Sequence, residues 1–191
     1  MSKVSSIDRG PVLEAALAVF ARYGYARTGM AQIAREAGVS RPALYLWFAN
    51  KPALFQALAD YLKARALAAA ESAWTDGAAL EANLEAVILA KDLPLYRLLH
   101  ASPHGAELMA VDAGVTNATA RALDDGFADI LSRRIATQTG LDLSAFDGAE
   151  GFGAALAMIA AGLKHEARDE AAYLDGVRRL CRITARAARA A

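Results

Sequence analysis

The stretch from Thr28 to Lys51, TGMAQIAREAGVSRPALYLWFANK, constrains this chain more than any other part of its sequence. It reads as two short helices joined by a tight turn. Thr28 and Ser40 stand where side-chain oxygens cap the two helix starts. Gly38 lies between them. Lacking a Cβ, it can take the positive φ that ends one helix and turns the chain into the next. Ala34, small and four residues earlier, permits close approach, and Ile33, Ala37, Val39, Leu44 and Phe48 supply a shared apolar seam.

The surface left after that seam is buried carries the chemistry. Arg41, Pro42, Tyr45 and Trp47 fall on or near the opening face of the second helix. A helix that enters the major groove of DNA reads it with three or four side chains of its first turns. Arg41 suits a guanine edge, where its planar fork meets two acceptors. The Tyr45 hydroxyl and the Trp47 indole N–H suit phosphate oxygens, which fix position without reading sequence. Asn50 is placed to cap a further helix opened by Lys51, and a helix start favours a phosphate. Arg27 and Arg35 extend the basic set. Pro42 is tolerated in a first helical turn but biases Arg41 away from helical geometry, which would shift the start of the second helix by a residue.

The run Phe20-Ala-Arg-Tyr-Gly-Tyr-Ala-Arg-Thr28, with Ile33-Ala34, Ala37-Gly38-Val39-Ser40, Leu44-Tyr45, Phe48 and Lys51-Pro-Ala-Leu54, resembles the amino-terminal domain of TetR-type transcriptional regulators. The resemblance covers about the first third of the chain. It implies that Thr28, Ser40, Arg41, Tyr45 and Lys51 face DNA, while Trp47 stands where the family more often has histidine or tyrosine. It further implies a homodimer on a palindromic double-stranded operator, released by a small effector held in a second helical domain. On that reading the protein is a repressor and not an enzyme. The alternative is an all-helical enzyme or binding protein whose hairpin is only scaffold, which explains outward aromatics beside arginines poorly.

Composition agrees with a two-part regulator. The 191 residues carry no formal net charge, yet residues 1–65 hold nine Lys and Arg against four Asp and Glu, so the first third is at +5 and the remainder at −5. A basic head beside an acidic body is expected where only the head meets a polyanion. The single cysteine, Cys181, excludes an internal disulfide and fits a reducing cytoplasm. No amino-terminal apolar signal is apparent, and the longest uncharged apolar stretch, residues 151–163, falls short of the roughly 20 needed to span a membrane.

No alternating β-branched run argues for a sheet, so the fold class is all-α: a three-helix helix-turn-helix domain over residues 1–50 and a larger helical effector-binding and dimerisation domain over 51–191. Helices are expected over residues 8–23, 51–73, 78–91, 94–101, 105–111, 116–139, 145–166 and 169–190, with breaks at Pro94 and at Asp76-Gly77, Ser102-Pro103, Gly114, Gly140 and Gly148. The small residues of the penultimate helix suggest close packing. Phe152, Ala155, Leu156, Ile159, Gly162 and Leu163 there, with Tyr173, Val177, Leu180, Cys181 and Thr184 of the last, are the expected dimer interface, the alternative being an ordinary internal core. For the effector, the middle helices offer Phe55, Leu58, Tyr61, Leu62, Tyr96, Leu99, Met109 and Phe127 as apolar wall, with His100 as a polar group. No cofactor or metal is expected, because Pro103 interrupts the helix that would align His100 with His104.

Overall fold

The structure, a computed structural model, describes residues 9–110 and 113–189, and the side chains of all of these except 109, 110 and 113–117. They form the helices α1 (Gly10–Tyr23), α2 (Met30–Glu36), α3 (Arg41–Trp47), α4 (Lys51–Ala73), α5 (Leu80–Ala101), α6 (Gly105–Ala110), α7 (Ala113–Ala136), α8 (Gly148–Glu166) and α9 (Glu170–Ala187), with a 3₁₀ turn at Ser144–Phe146. Among the described residues there is no strand beyond an isolated bridge between Leu141 and Arg189. The expected helix start at Asp8 lies outside the described residues, as does the side chain of Met109.

Two compact units emerge: the chain up to Leu62 with Leu98–Thr119, and Lys63–Arg97 with the chain from Ala120 onward. α4 gives its first half to one unit and its second half to the other. In the first unit, α1, α2 and α3 close over the fully buried Ala16, Phe20, Ile33, Leu44 and Leu54. Phe20, Tyr25 and Phe55 meet there as an aromatic trio with ring centroids 5.0–5.7 Å apart. Burying such side chains stabilises the unit by about 1.5–3 kcal/mol each.

The second unit is built around Phe127, Leu131, Phe152, Leu156, Tyr173 and Val177. Gly153 is where α8 meets α7. A Cβ at that position would stand 2.7 Å from the Ala128 carbonyl oxygen, so only glycine lets the two helices approach this closely. Inside this core lies a polar knot. Asp92 Oδ1 accepts from Lys164 Nζ at 3.0 Å, and Oδ2 accepts from the Tyr173 hydroxyl at 3.3 Å with Lys91 Nζ 3.2 Å away. The Lys91 side chain is wholly buried, its ammonium 4.4 Å from the centre of the Phe127 ring. Burial pulls the Lys91 amine below the usual lysine range, against the opposing pull of Asp92, and burial pushes the Tyr173 phenol upward.

Three sequence expectations are corrected, one of them the break at Gly114, which lies inside α7 (Ala113–Ala136). Pro94 does not break the chain into two helices, because α5 runs unbroken through it. Pro94 is exposed, while Leu84, Val87, Ile88, Lys91, Asp92 and Tyr96 keep the helix's other face buried. That burial outweighs the roughly 3 kcal/mol a proline costs inside a helix. α8 starts at Gly148 and not at 145, since the 3₁₀ turn ends on Asp147 in the left-handed region at φ 58°.

Candidate nucleic-acid interface

The hairpin forms for the reasons its residues suggest. Ser40 Oγ accepts from Ala43 N at 3.2 Å and caps α3, Gly38 turns the chain at φ +66°, and Asn50 Oδ1 accepts from Ala53 N at 2.8 Å to cap α4. Arg41 is already helical with Pro42 in the first turn, so the start of α3 is not displaced. Leu44 is fully buried and Trp47 half-buried against the core. Arg41, Pro42, Tyr45 and Leu46 are left exposed. At about 100° per residue these four span roughly 140° of the helix surface, in two adjacent rows, Arg41 with Tyr45 and Pro42 with Leu46. The Arg41 guanidinium lies 5.6 Å from the centre of the Tyr45 ring. Sequence reasoning passed over Leu46, although its spacing from Pro42 puts it on the same face.

Thr28 does not cap α2, whose N-cap is Gly29 without a side-chain bond. The Thr28 side chain is buried, and its hydroxyl donates to the Gly24 carbonyl at 2.7 Å. Lys51 also turns inward. Its ammonium donates to the carbonyls of Tyr25 at 2.8 Å, Thr28 at 3.0 Å and Ala26 at 3.4 Å, and sits 4.3 Å from the centre of the Tyr25 ring. The α1–α2 loop is held from its other side by α6. Glu107 Oε1 accepts from Ala26 N at 2.8 Å, and the same carboxylate fills the space a Cβ on Gly24 (φ +83°) would need. Arg27 donates to the Tyr23 carbonyl at 3.1 Å, and its other nitrogen lies 2.9 Å from His104 Nε2. Arg35 is exposed in the last turn of α2. No local signal in the sequence announces these ties, because Glu107 lies 81 residues from the amide it holds.

The residues expected to line an effector site fall into separate cores. Phe55 and Leu58 are buried in the first unit's core, with Tyr61, Leu62 and Leu99 partly buried against it; Tyr96 and Phe127 are buried in the second, and His100 is exposed. Of the expected dimer face, Phe152, Leu156, Tyr173, Val177, Leu180, Cys181 and Thr184 turn into the chain's own core. Burial lifts the Cys181 thiol to about 12, which leaves it inert as a thiolate. Ala155 and Leu163 are half-buried, and Gly162 and Ile159 are exposed. Beside them stand Met158 at 71% and Ile183 at 60% exposure. Ile159, Leu163, Gly176, Leu180 and Ile183 line a shallow depression of about 670 Å³ between α8 and α9, rimmed by Arg168, Asp169, Asp175 and Arg179.

Comparison with known proteins bears on the same region. The family model described as "Bacterial regulatory proteins, tetR family" matches residues 12–58. The HTH-type transcriptional regulator TtgR of Pseudomonas putida is 50% identical over 54 residues, 28% of this chain and 26% of that protein, so the match spans about a quarter of the relative's length. Among solved structures, a transcriptional regulator from Rhodococcus sp. Rha1 superimposes with a TM-score of 0.70 at 19% identity, over 96% of this chain and 99% of its own. The complex of SmeT, from Stenotrophomonas maltophilia, with triclosan gives 0.67 at 23% identity, over 95% and 91%. At those identities the likeness establishes the fold. Residues 12–58 match the tetR family of bacterial regulatory proteins in sequence, and the whole chain shares its fold with solved transcriptional regulators, so a helix-turn-helix domain of the tetR type stands at its amino-terminal end.

Proposed function

We propose that the protein is a homodimeric transcriptional repressor that binds a palindromic operator through α3 and leaves it when a small, largely apolar effector binds. The outward face of α3 carries this reading: a seven-residue helix presents Arg41, Pro42, Tyr45 and Leu46 together while Leu44 anchors it from behind. In this reading Arg41 reads a guanine edge. Tyr45, Trp47 and the hydroxyl proton Ser40 retains are directed to phosphates. Thr28 and Lys51 act by fixing the loop, and Arg27 and Arg35 supply a basic surround. Tyr45 has a second role, as the platform under the Arg41 guanidinium.

Substitution separates these roles. Arg41→Ala is expected to cost about 1–3 kcal/mol of operator binding and to relax the preference at one base pair. Tyr45→Phe keeps the ring under Arg41 and loses only the hydroxyl, so it weakens binding to all sequences alike. Titration against a panel of single-base operator variants distinguishes the two patterns. A uniform loss for Arg41→Ala would make it a phosphate contact.

Pairing is supported by the outward apolar side chains of α8 and α9. Fully burying an isoleucine is worth about 1.5–3 kcal/mol, and a two-fold interface buries each one twice. Ile159→Asp and Ile183→Asp sit at exposed positions where the fold tolerates them, and each is expected to convert a dimer to a monomer in light scattering. A dimer that survives both substitutions would put the interface elsewhere. The effector is assigned to the second unit, around Tyr96 and Phe127. Both are packed, so a ligand there displaces side chains, and it shifts operator affinity only if it prefers one arrangement over the other. SmeT, a structural neighbour, forms a complex with triclosan, a precedent for a ligand on this fold.

A further inference from the structure

Leu46 is 84% exposed, more than any other large apolar side chain among the described residues. An isolated exposed leucine is ordinary. This one stands on a helix of seven residues whose inward face is complete without it, since Leu44 is fully buried behind it and Trp47 packs on the core. One turn earlier on the same row is Pro42, also exposed. The outward face of α3 is therefore half polar and half apolar. Along one row run the guanidinium of Arg41 and the phenol of Tyr45, and along the next the ring of Pro42 and the isobutyl group of Leu46. The fold makes no use of the second row, so its occupant is external.

The first row identifies that occupant. A surface that brings an arginine fork and a phenol hydroxyl into a DNA groove carries the adjoining row in with them. The edges of base pairs in the major groove are almost wholly hydrogen-bonding groups. Their one apolar group of any size is the C5 methyl of thymine, since cytosine offers only a C5–H at that position. A leucine presented there gains nothing from cytosine, adenine or guanine edges, and gains a buried methyl contact from thymine.

Resting on the assignment of α3 to the major groove, we propose that Leu46, flanked by Pro42, is a specificity-determining residue that packs on the C5 methyl of a thymine in each operator half-site. Five residues separate Leu46 from Arg41, about 7.5 Å along the helix or roughly two base-pair steps. The thymine therefore lies within a few base pairs of the one Arg41 reads, and not in the same pair.

The test removes that methyl and nothing else. An operator is first selected from random duplexes with the full-length protein, and each thymine in turn is then replaced by deoxyuridine, which pairs identically and lacks only the C5 methyl. Wild-type protein is expected to lose about fourfold in affinity at one thymine per half-site, the worth of one buried methyl, and to ignore the other replacements. Leu46→Ala is expected to bind the parent operator about fourfold or more weakly per half-site and to be indifferent to deoxyuridine at that thymine. Its melting temperature should match wild type, because the side chain it loses is in solvent. Indifference of the wild type to every replacement would overturn the proposal, as would a Leu46→Ala protein that still pays the full deoxyuridine penalty. If selection yields no preferred sequence at all, the assignment of α3 to DNA fails, and this proposal falls with it for that separate reason.

Discussion

Asp92→Ala is expected to cost about 3–5 kcal/mol of folding stability, whereas Lys91→Met leaves stability within about 1 kcal/mol of wild type or raises it. The two residues are neighbours in one buried pair, so the asymmetry needs a cause. Asp92 is shared by three groups, Lys91, Lys164 and the Tyr173 hydroxyl. Removing it takes from the fully buried Lys91 ammonium its ion-pair partner at 3.2 Å and leaves it the Phe127 ring, the more distant charge of Asp124 and the repulsion of Lys164. Removing Lys91 still leaves Asp92 its bonds to Lys164 and Tyr173, and methionine fills nearly the same volume. The pH dependence carries a definite sign. The Lys91 amine is held below the usual lysine range by burial. Between that lowered value and the ordinary one near 10.4, the unfolded chain keeps a proton the folded chain has released, so folding gains stability as pH rises through the window. Lys91→Met lacks that gain. Its melting temperature should thus improve less, relative to wild type, as pH is taken from neutral toward 10. Thermal melts of both variants over that range check the claim, and equal losses for Lys91→Met and Asp92→Ala would contradict it.

Lys51→Met is expected to lower stability by about 2–3 kcal/mol and to weaken operator binding through the loop it no longer holds. Hydrogen bonds to a charged group are worth about 1.5–3 kcal/mol in such settings. The Lys51 ammonium serves the carbonyls of Tyr25 and Thr28 at 2.8 and 3.0 Å while lying over the Tyr25 ring. A lysine that met a phosphate would behave differently on removal. The melting temperature would hold, and the slope of log affinity against log salt would fall by about one. Thermal melting and a salt titration on the same variant therefore separate the two roles. The structure's geometry predicts the loss of stability.

How far the sequence was legible depends on how local each feature is. Ser40, Gly38 and Asn50 act on backbone within three residues of themselves, and the structure finds each performing the role its type and position suggest. Leu44 and Phe48 follow helical spacing into the core. Thr28 and Lys51 were harder, because their groups are claimed by a loop whose path is set by Glu107 on α6. The same letters would serve an outward threonine and an outward lysine. In α9 the apolar stripe of Tyr173, Val177, Leu180 and Cys181 was plain, but a stripe does not say whether it meets its own chain or another. The structure turns it inward and leaves Ile183, off the stripe, in solvent. Pro94 is the reverse case: a local breaker overruled by burial along the rest of α5.

The most direct test of the central claim, that α3 of this chain reads DNA, is the affinity of the full-length protein for its selected operator against unrelated duplex, measured by fluorescence anisotropy over a range of salt. The account predicts a two-fold symmetric sequence bound at least about 10³-fold more tightly than unrelated DNA, with affinity falling steeply as salt rises. Equal affinity for every duplex, or no binding at low salt, would contradict it and leave the hairpin of α2 and α3 as scaffold.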